Sequence, residues 1–167
     1  MRTIGIAAIG LIAGSLVSAA PALAQTRSEP DWLRIEGQVG TLSFIEDSHQ
    51  HLLVGGGAQF ALTPRLAAGV EVTWFRGPGQ ERGQLVLGVL NVDLGPMSTE
   101  RRVQPYFLTA VGGGQSRDST LTTSGALIDF GGGARIAVGD RWYVAPEARF
   151  GWAAHLRFGV NVGWALR

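Results

Sequence analysis

Over most of this chain, apolar side chains fall on every second residue. Leu66, Ala68, Val70, Val72 and Trp74 alternate with Ala67, Gly69, Glu71 and Thr73. Trp142, Val144, Pro146, Ala148 and Phe150 alternate with Tyr143, Ala145, Glu147 and Arg149. Phe158, Val160, Val162 and Trp164 alternate with Arg157, Gly159, Asn161 and Gly163, and near the start Leu33, Ile35 and Val39 alternate with Arg34, Glu36 and Gln38. A period of two marks a strand with two unlike faces, and no segment after residue 24 sustains the longer period of an amphipathic helix. Further runs near 52–62, 84–94, 103–113 and 127–138 bring the expected strands to eight. Most are about ten residues long, the length of a tilted strand crossing a bilayer, against the ~5–6 usual in globular sheets.

The connections are of two kinds. Thr63-Pro64-Arg65 and Gly139-Asp140-Arg141 read as tight turns, whereas 45–51, 76–83 and 114–125 are longer and polar or glycine-rich. Long loops on one side and short turns on the other are the asymmetry of an outer-membrane barrel. Two connections depart from it: 95–102 is long for its side and 151–155 short. An internal repeat supports the strand count. Residues 55–72 align without gaps to 131–148, with seven of 18 positions identical: the GGGA run, Ala61/Ala137, Arg65/Arg141 and Glu71/Glu147. Each copy is strand, tight turn, strand, so the chain reads as two related halves of four strands.

Which face points inward separates a membrane barrel from a soluble one. A soluble eight-stranded barrel is apolar inside and polar outside. Here the second face is glycine and alanine with a few charges, as in Gly55, Gly57, Gly69, Glu71, Gly133, Arg135, Ala145, Glu147, Arg149, Gly159, Asn161 and Gly163. That suits a narrow lumen, in which a large side chain needs a small one opposite. A three-residue turn centred on Pro64 sets Glu71 opposite Gly57 and Gln59 opposite Gly69; the matching turn at Asp140 sets Glu147 opposite Gly133 and Arg135 opposite Ala145. Buried charges must be paired, so Arg34, Arg135, Arg149 and Arg157 are expected to pair with Glu36, Glu71 and Glu147 as a structural lumen network. Outward aromatics are expected at two interfacial levels, with Trp74, Phe150 and Phe158 near the outer one and Phe60, Trp142 and Trp164 near the inner one.

Composition changes this picture mainly by exclusion. The 167 residues hold 14 basic and 13 acidic side chains, 25 glycines, no cysteine and no lysine, for a net charge of +1. Near-neutrality excludes a nucleic-acid binder working by bulk electrostatics. Lack of cysteine excludes disulfides, thiolate metal sites and cysteine nucleophiles; lack of lysine excludes a phosphate-binding P-loop and a Schiff base. Glycine is about twice its usual ~7% share, and the narrow lumen supplies a reason. Residues 1–24 read as a cleaved secretory signal peptide, with Arg2 as the charged region, Ile4 to Val17 as the apolar stretch and Ala22-Leu23-Ala24 as the cleavage site. The expected organisation is leader at 1–24, a short lead at 25–31 and one barrel domain at 32–167.

Little points to chemistry. The triple glycines at 55–57, 112–114 and 131–133 complete no dinucleotide fingerprint and read as structural. His49 and His51 read as solvated loop histidines beside Glu46 and Asp47; with His155 the only other histidine, no closed metal site is expected. Ser48 and His49 are neighbours but lack a nucleophile elbow, and Glu71 and Glu147 read as ion-pair partners rather than as a general acid and base. No catalytic residue, cofactor or metal is therefore expected.

The leader, the eight alternating strands, the GGGARIAVGDRWYVAPEARF hairpin and the alternating last strand together resemble the small bacterial outer-membrane β-barrel proteins. These include the opacity and attachment-invasion types and the transmembrane domain of outer-membrane protein A. The likeness covers 32–167 and rests on pattern rather than on a diagnostic motif. It implies an all-β, eight-stranded antiparallel up-and-down transmembrane barrel in the cell outer membrane, inserted into the lipid bilayer by the outer-membrane assembly machinery. Such proteins generally end on an aromatic residue; here Leu166 and Arg167 stand there, and Trp164 is the nearest aromatic. The expected function is non-enzymatic, structural or surface-interacting, with a packed polar lumen and loops 45–51, 76–83 and 114–125 free to meet an extracellular partner. The alternatives are a narrow passive porin-like channel and a soluble periplasmic ligand-binding barrel.

Overall fold

The computed structural model describes residues 32–45, 49–79, 81–95, 102–117, 122–152 and 154–166. The expected leader at 1–24, the lead up to residue 31, Glu46, Asp47, Ser48 and Arg167 lie outside them. Eight strands follow in order: β1 (Leu33–Phe44), β2 (Gln50–Thr63), β3 (Leu66–Arg76), β4 (Arg82–Asp93), β5 (Val103–Arg117), β6 (Thr122–Ala137), β7 (Trp142–Gly151) and β8 (His155–Leu166). Each pairs antiparallel with its chain neighbours, and β1 pairs with β8 from Leu33↔Leu166 to Phe44↔His155, so the sheet closes into a barrel without free edges.

The tight turns set the register. Thr63 Oγ1 accepts from the backbone N–H of Arg65 (3.3 Å) and Leu66 (3.0 Å), holding the Pro64 corner. Glu71 then lies opposite Gly57, and Gly69 opposite Gln59. Across the equivalent turn Glu147 lies opposite Gly133, and Ile136↔Val144 keeps the same register. The three triple-glycine runs all lie within strands, on β2, β5 and β6.

The stretch at 114–125 is not a loop for most of its length. Gly114 to Arg117 pair residue by residue with Gly125 to Thr122, so β5 and β6 are the longest strands, at 15 and 16 residues. Hydrophobicity does not report this extension, because ladder hydrogen bonds need no apolar side chain once the hairpin leaves the bilayer, and Thr122 and Thr123 have high strand propensity. His51 likewise belongs to β2 rather than to the preceding loop.

Alternation then sorts every strand into two faces. Outward side chains such as Val70, Phe107 and Val111 are 60–62% exposed, whereas Arg135, Asp129 and Arg157 are buried. A belt of exposed Val, Leu, Ile, Phe and Trp around a charged interior inverts the order of a soluble barrel and suits a hydrocarbon surround. On β7 the outward aromatics Trp142 and Phe150 are eight residues apart. That separation is about 27 Å along the strand and about 20 Å along the normal at the usual ~40° tilt, close to the height of a hydrocarbon band. The turns after β2, β4 and β6 share one end of the barrel with both chain ends of the sheet, here the terminal end; the other four connections share the far end.

Candidate functional site

The lumen is built at three levels, two of them bridged from wall to wall by ion pairs. At the terminal end Asp93, the last residue of β4, binds Arg34 of β1 (2.8 Å) and Arg135 of β6 through separate carboxylate oxygens. The Arg135 guanidinium also lies over the Tyr106 ring, 4.1 Å from its centroid, a cation–π contact available because Tyr106 points inward from β5. Glu36 is reached by the Tyr143 hydroxyl (2.5 Å) and the Gln59 amide (3.1 Å), and Asn91 donates to Gln59 (2.6 Å).

At mid-height Arg149 connects the two related halves. Its Nε donates to Glu147 (2.6 Å) and its Nη2 to Glu71 (2.5 Å). These are the two glutamates of the internal repeat; one stands on β7 and the other on β3, half-way round the barrel. Arg157 of β8 donates to Glu71 (2.6 Å), Asp129 (3.2 Å) and the Gln38 carbonyl (2.9 Å). The Tyr106 hydroxyl donates to Glu147 (2.7 Å). Among the described residues four arginines thus share the lumen with five carboxylates, Glu36, Glu71, Asp93, Asp129 and Glu147. In this low-dielectric space a bond to one carboxylate strengthens its neighbours, and an unpaired charge is costly.

The far end is different. There Leu42, Leu53 and Leu85 pack with Phe75, with Phe44 and Leu127 against them, as the end of a buried apolar cluster that continues past Leu87, beside Glu71, to Val89, Leu108 and Tyr106. His51 and His155 are buried among them. The Phe44 ring meets His51 edge-on (5.5 Å between centroids), Phe75 (6.4 Å) and His155 (6.0 Å). His51 Nε2 is 2.8 Å from Glu81, which also accepts from Ser116 (3.4 Å). His155 Nε2 lies 3.0 Å from Asp129 but out of line for a hydrogen bond. The lumen is therefore not polar throughout: its charged part is capped by an apolar and aromatic layer.

Large side chains fit because small ones face them. A Cβ on Gly163 would stand 2.1 Å from the Tyr143 ring, and one on Gly151 1.9 Å from His155. Both pairs are direct cross-strand partners.

The sequence-chosen residues Arg34, Glu36, Glu71, Arg135, Glu147, Arg149 and Arg157 all lie on the inner face, but the pairing differs in detail. Arg34 and Arg135 share Asp93, and Arg157 uses Asp129, two acids the sequence reading did not name. Asp129 was open to discovery, since it has the parity of Gly131, Gly133 and Arg135. Asp93 was open too, since Leu90, Asn91, Val92, Asp93 and Leu94 alternate at the end of β4, although the run before them is apolar on both faces. Tyr106 and Tyr143 were also missed. His51 is a correction: it is not a solvated loop histidine but a wholly buried strand residue, because its parity on β2 aims it inward between Phe44 and Phe75. His49, by contrast, is exposed. Phe60, Trp74, Trp142, Phe150 and Phe158 face outward and are exposed, and Trp164, partly exposed, pairs with Trp142.

Chemically, Ser116, Glu81 and His51 line up with the carboxylate in the middle, so the imidazole does not contact the hydroxyl as a general base would. Among the described residues no group of three His, Cys, Asp or Glu side chains is placed to hold a metal ion.

A closed eight-stranded sheet with an apolar outer belt and a salt-bridged interior defines the class of small transmembrane β-barrels. Solved structures share the fold. The N-terminal β-barrel domain of Pseudomonas aeruginosa OprF matches with a TM-score of 0.62 at 12% identity, over 82% of this chain and 98% of that one. Neisserial surface protein A matches with 0.61 at 11% identity, over 79% of this chain and 94% of that one. A de novo designed transmembrane β-barrel matches with 0.54 at 19% identity, over 83% of this chain and 98% of that one. No family model and no curated protein matches the sequence.

Proposed function

We propose that this chain is an exported outer-membrane β-barrel, non-enzymatic and non-conducting, that serves as a structural or surface-interacting element of the envelope. The lipid bilayer, met by its apolar outer belt, is its first partner, and the outer-membrane assembly machinery would insert it. The observation that carries the non-conducting reading is the lumen, bridged by Arg34–Asp93–Arg135 at one end and Glu71–Arg149–Glu147 at mid-height, then stoppered by Leu42, Phe44, His51, Leu53 and Phe75. A passive channel would need a continuous water path past all three levels. A soluble ligand-binding barrel would need the apolar face inside. Export by residues 1–24 and a mature start at Gln25 complete the proposal. A chain entering from the periplasm puts the terminal end inside and the far-end connections outside. The segments open to an external partner then shorten to 45–49, 77–81, 118–121 and 152–154.

The test is direct. Outer membranes are solubilised with and without boiling and run on a denaturing gel, and the purified chain is then reconstituted in a planar bilayer. A faster-migrating band lost on boiling, with no steady conductance, supports the proposal. Stable open-channel steps would replace it with the channel reading, and recovery in the soluble periplasmic fraction would overturn the membrane location.

A further inference from the structure

The outer wall carries one feature the lumen does not explain. Arg76, Arg82 and Arg117 are cross-strand partners in a single row over β3, β4 and β5. All three are exposed and point outward, by the parity that sends Phe75, Gly83 and Ser116 inward. Neighbouring strands are about 4.8 Å apart, so three cations lie side by side across about 10 Å of wall. Among the described residues no carboxylate pairs with any of them. Glu81, the acid beside Arg82, is turned into the barrel onto His51 and Ser116. The row is confined to this sector: at the same end the outward positions of the other described strands are Ser43, Leu52, Thr122, Phe150 and Leu156, which carry no charge.

Two residues down β3, in the next outward row, Trp74 sits beside Gln84, Gln115 and Ser124. If Trp74 marks the edge of the hydrocarbon, the guanidiniums stand about 7 Å beyond it along the strand, at headgroup depth. One row further down Val86 and Ala126 flank Gly113, and these three together with Gln84, Gln115 and Ser124 line an open depression of about 500 Å³. A row of cations at headgroup depth directly above a recess in the apolar belt is complementary to one molecule with an anionic head and a hydrocarbon tail.

We infer that the outer wall over β3–β6 docks an anionic, phosphate-bearing membrane lipid, its phosphate on Arg76, Arg82 and Arg117 of β3–β5 and one acyl chain in the recess over Gly113 between β4 and β6. Arginine suits the head because its planar fork gives a phosphate two parallel N–H bonds. The inference rests on the reading of the chain as a membrane-embedded barrel.

The test uses the full chain refolded into phosphatidylcholine vesicles containing a minor share of brominated lipid, with tryptophan fluorescence as the readout. Brominated phosphatidylglycerol is expected to quench with a relative association about fivefold above that of brominated phosphatidylcholine, roughly the attraction of one well-placed surface arginine. The excess should vanish in W74F, since Trp74 flanks the site, and in the combined R76Q/R82Q/R117Q variant. Gly113→Leu should lower it part-way without touching charge; a Cβ at Gly113 meets nothing nearer than the Gly125 carbonyl at 3.4 Å, so the barrel can accept it. Equal quenching by the two lipids, an excess that survives the arginine changes, or one that persists in W74F overturns the docking site. Failure of the membrane reading looks different: neither lipid quenches, and the heat-modifiable band is missing.

Discussion

The two parts of this lumen solve the same packing problem by different means. From the terminal end to mid-height, long charged side chains set among Val89, Tyr106, Leu108 and Tyr143 each satisfy several partners across the barrel; Arg157 alone reaches Glu71, Asp129 and Gln38. At the far end it is filled by Leu42, Leu53, Phe75 and Leu85, which need only contact and exclusion of water. A charged filling is held by complementarity, so it fails when one partner is removed. An apolar filling is held by volume, so it fails in proportion to the atoms lost. The contrast also assigns jobs: the network fixes strands against each other across the bore, and the cap seals it.

The largest expected effect comes from breaking the network on one side. Arg157→Met leaves Asp129 and part of the demand of Glu71 buried without a cation, and should cost about 3–5 kcal/mol, read from urea unfolding of the barrel in vesicles. Adding Asp129→Leu should recover a good part of that loss, since the penalty lies in the orphaned charge rather than in missing contacts. No recovery would mean that Arg157 stabilises by packing alone and would erase the distinction between the two regions.

In the cap, Leu53→Ala should cost about 2–4 kcal/mol through lost burial and the cavity left behind. No second deletion should rescue it; a filling change such as Leu42→Phe is the appropriate partner. An effect under about 0.5 kcal/mol, within the range of ordinary surface changes, would show that the cap is loosely packed and would weaken its role as a seal. The smallest expected effect lies in the network. Tyr143→Phe removes one hydroxyl from Glu36 while Gln59 still donates to it, so a loss of about 1.5 kcal/mol is expected. Unfolding with the wild-type midpoint would show that the other donors to Glu36 make the hydroxyl redundant.

Much of this was legible beforehand because a strand in a closed sheet sorts its side chains by parity alone. Alternation in β3, β7 and β8 located Glu71, Glu147, Arg149 and Arg157 on the inner face, and two turn motifs set their glycine partners. Legibility failed where alternation did. In β4, Leu85, Val86, Leu87 and Val89 are apolar on both faces and mask the period, which returns only at Leu90 to Leu94, where it aims Asn91 and Asp93 inward. At 114–125 composition suggested a loop, yet the backbone pairs without regard to side-chain polarity.

The sequence by itself determined the strand count, the two faces, the tight turns and the related halves, because period two and turn chemistry are local and read along one segment at a time. Only the tertiary structure decided which charges meet. Closure of β8 on β1 sets the rotation of every strand about the bore, and with it the convergence of Glu71 and Glu147 on Arg149. The same closure brings His155 to Phe44, a contact between residues far apart in the chain that no local pattern encodes, whereas Arg76, Arg82 and Arg117 are lined up by the registers of two successive hairpins.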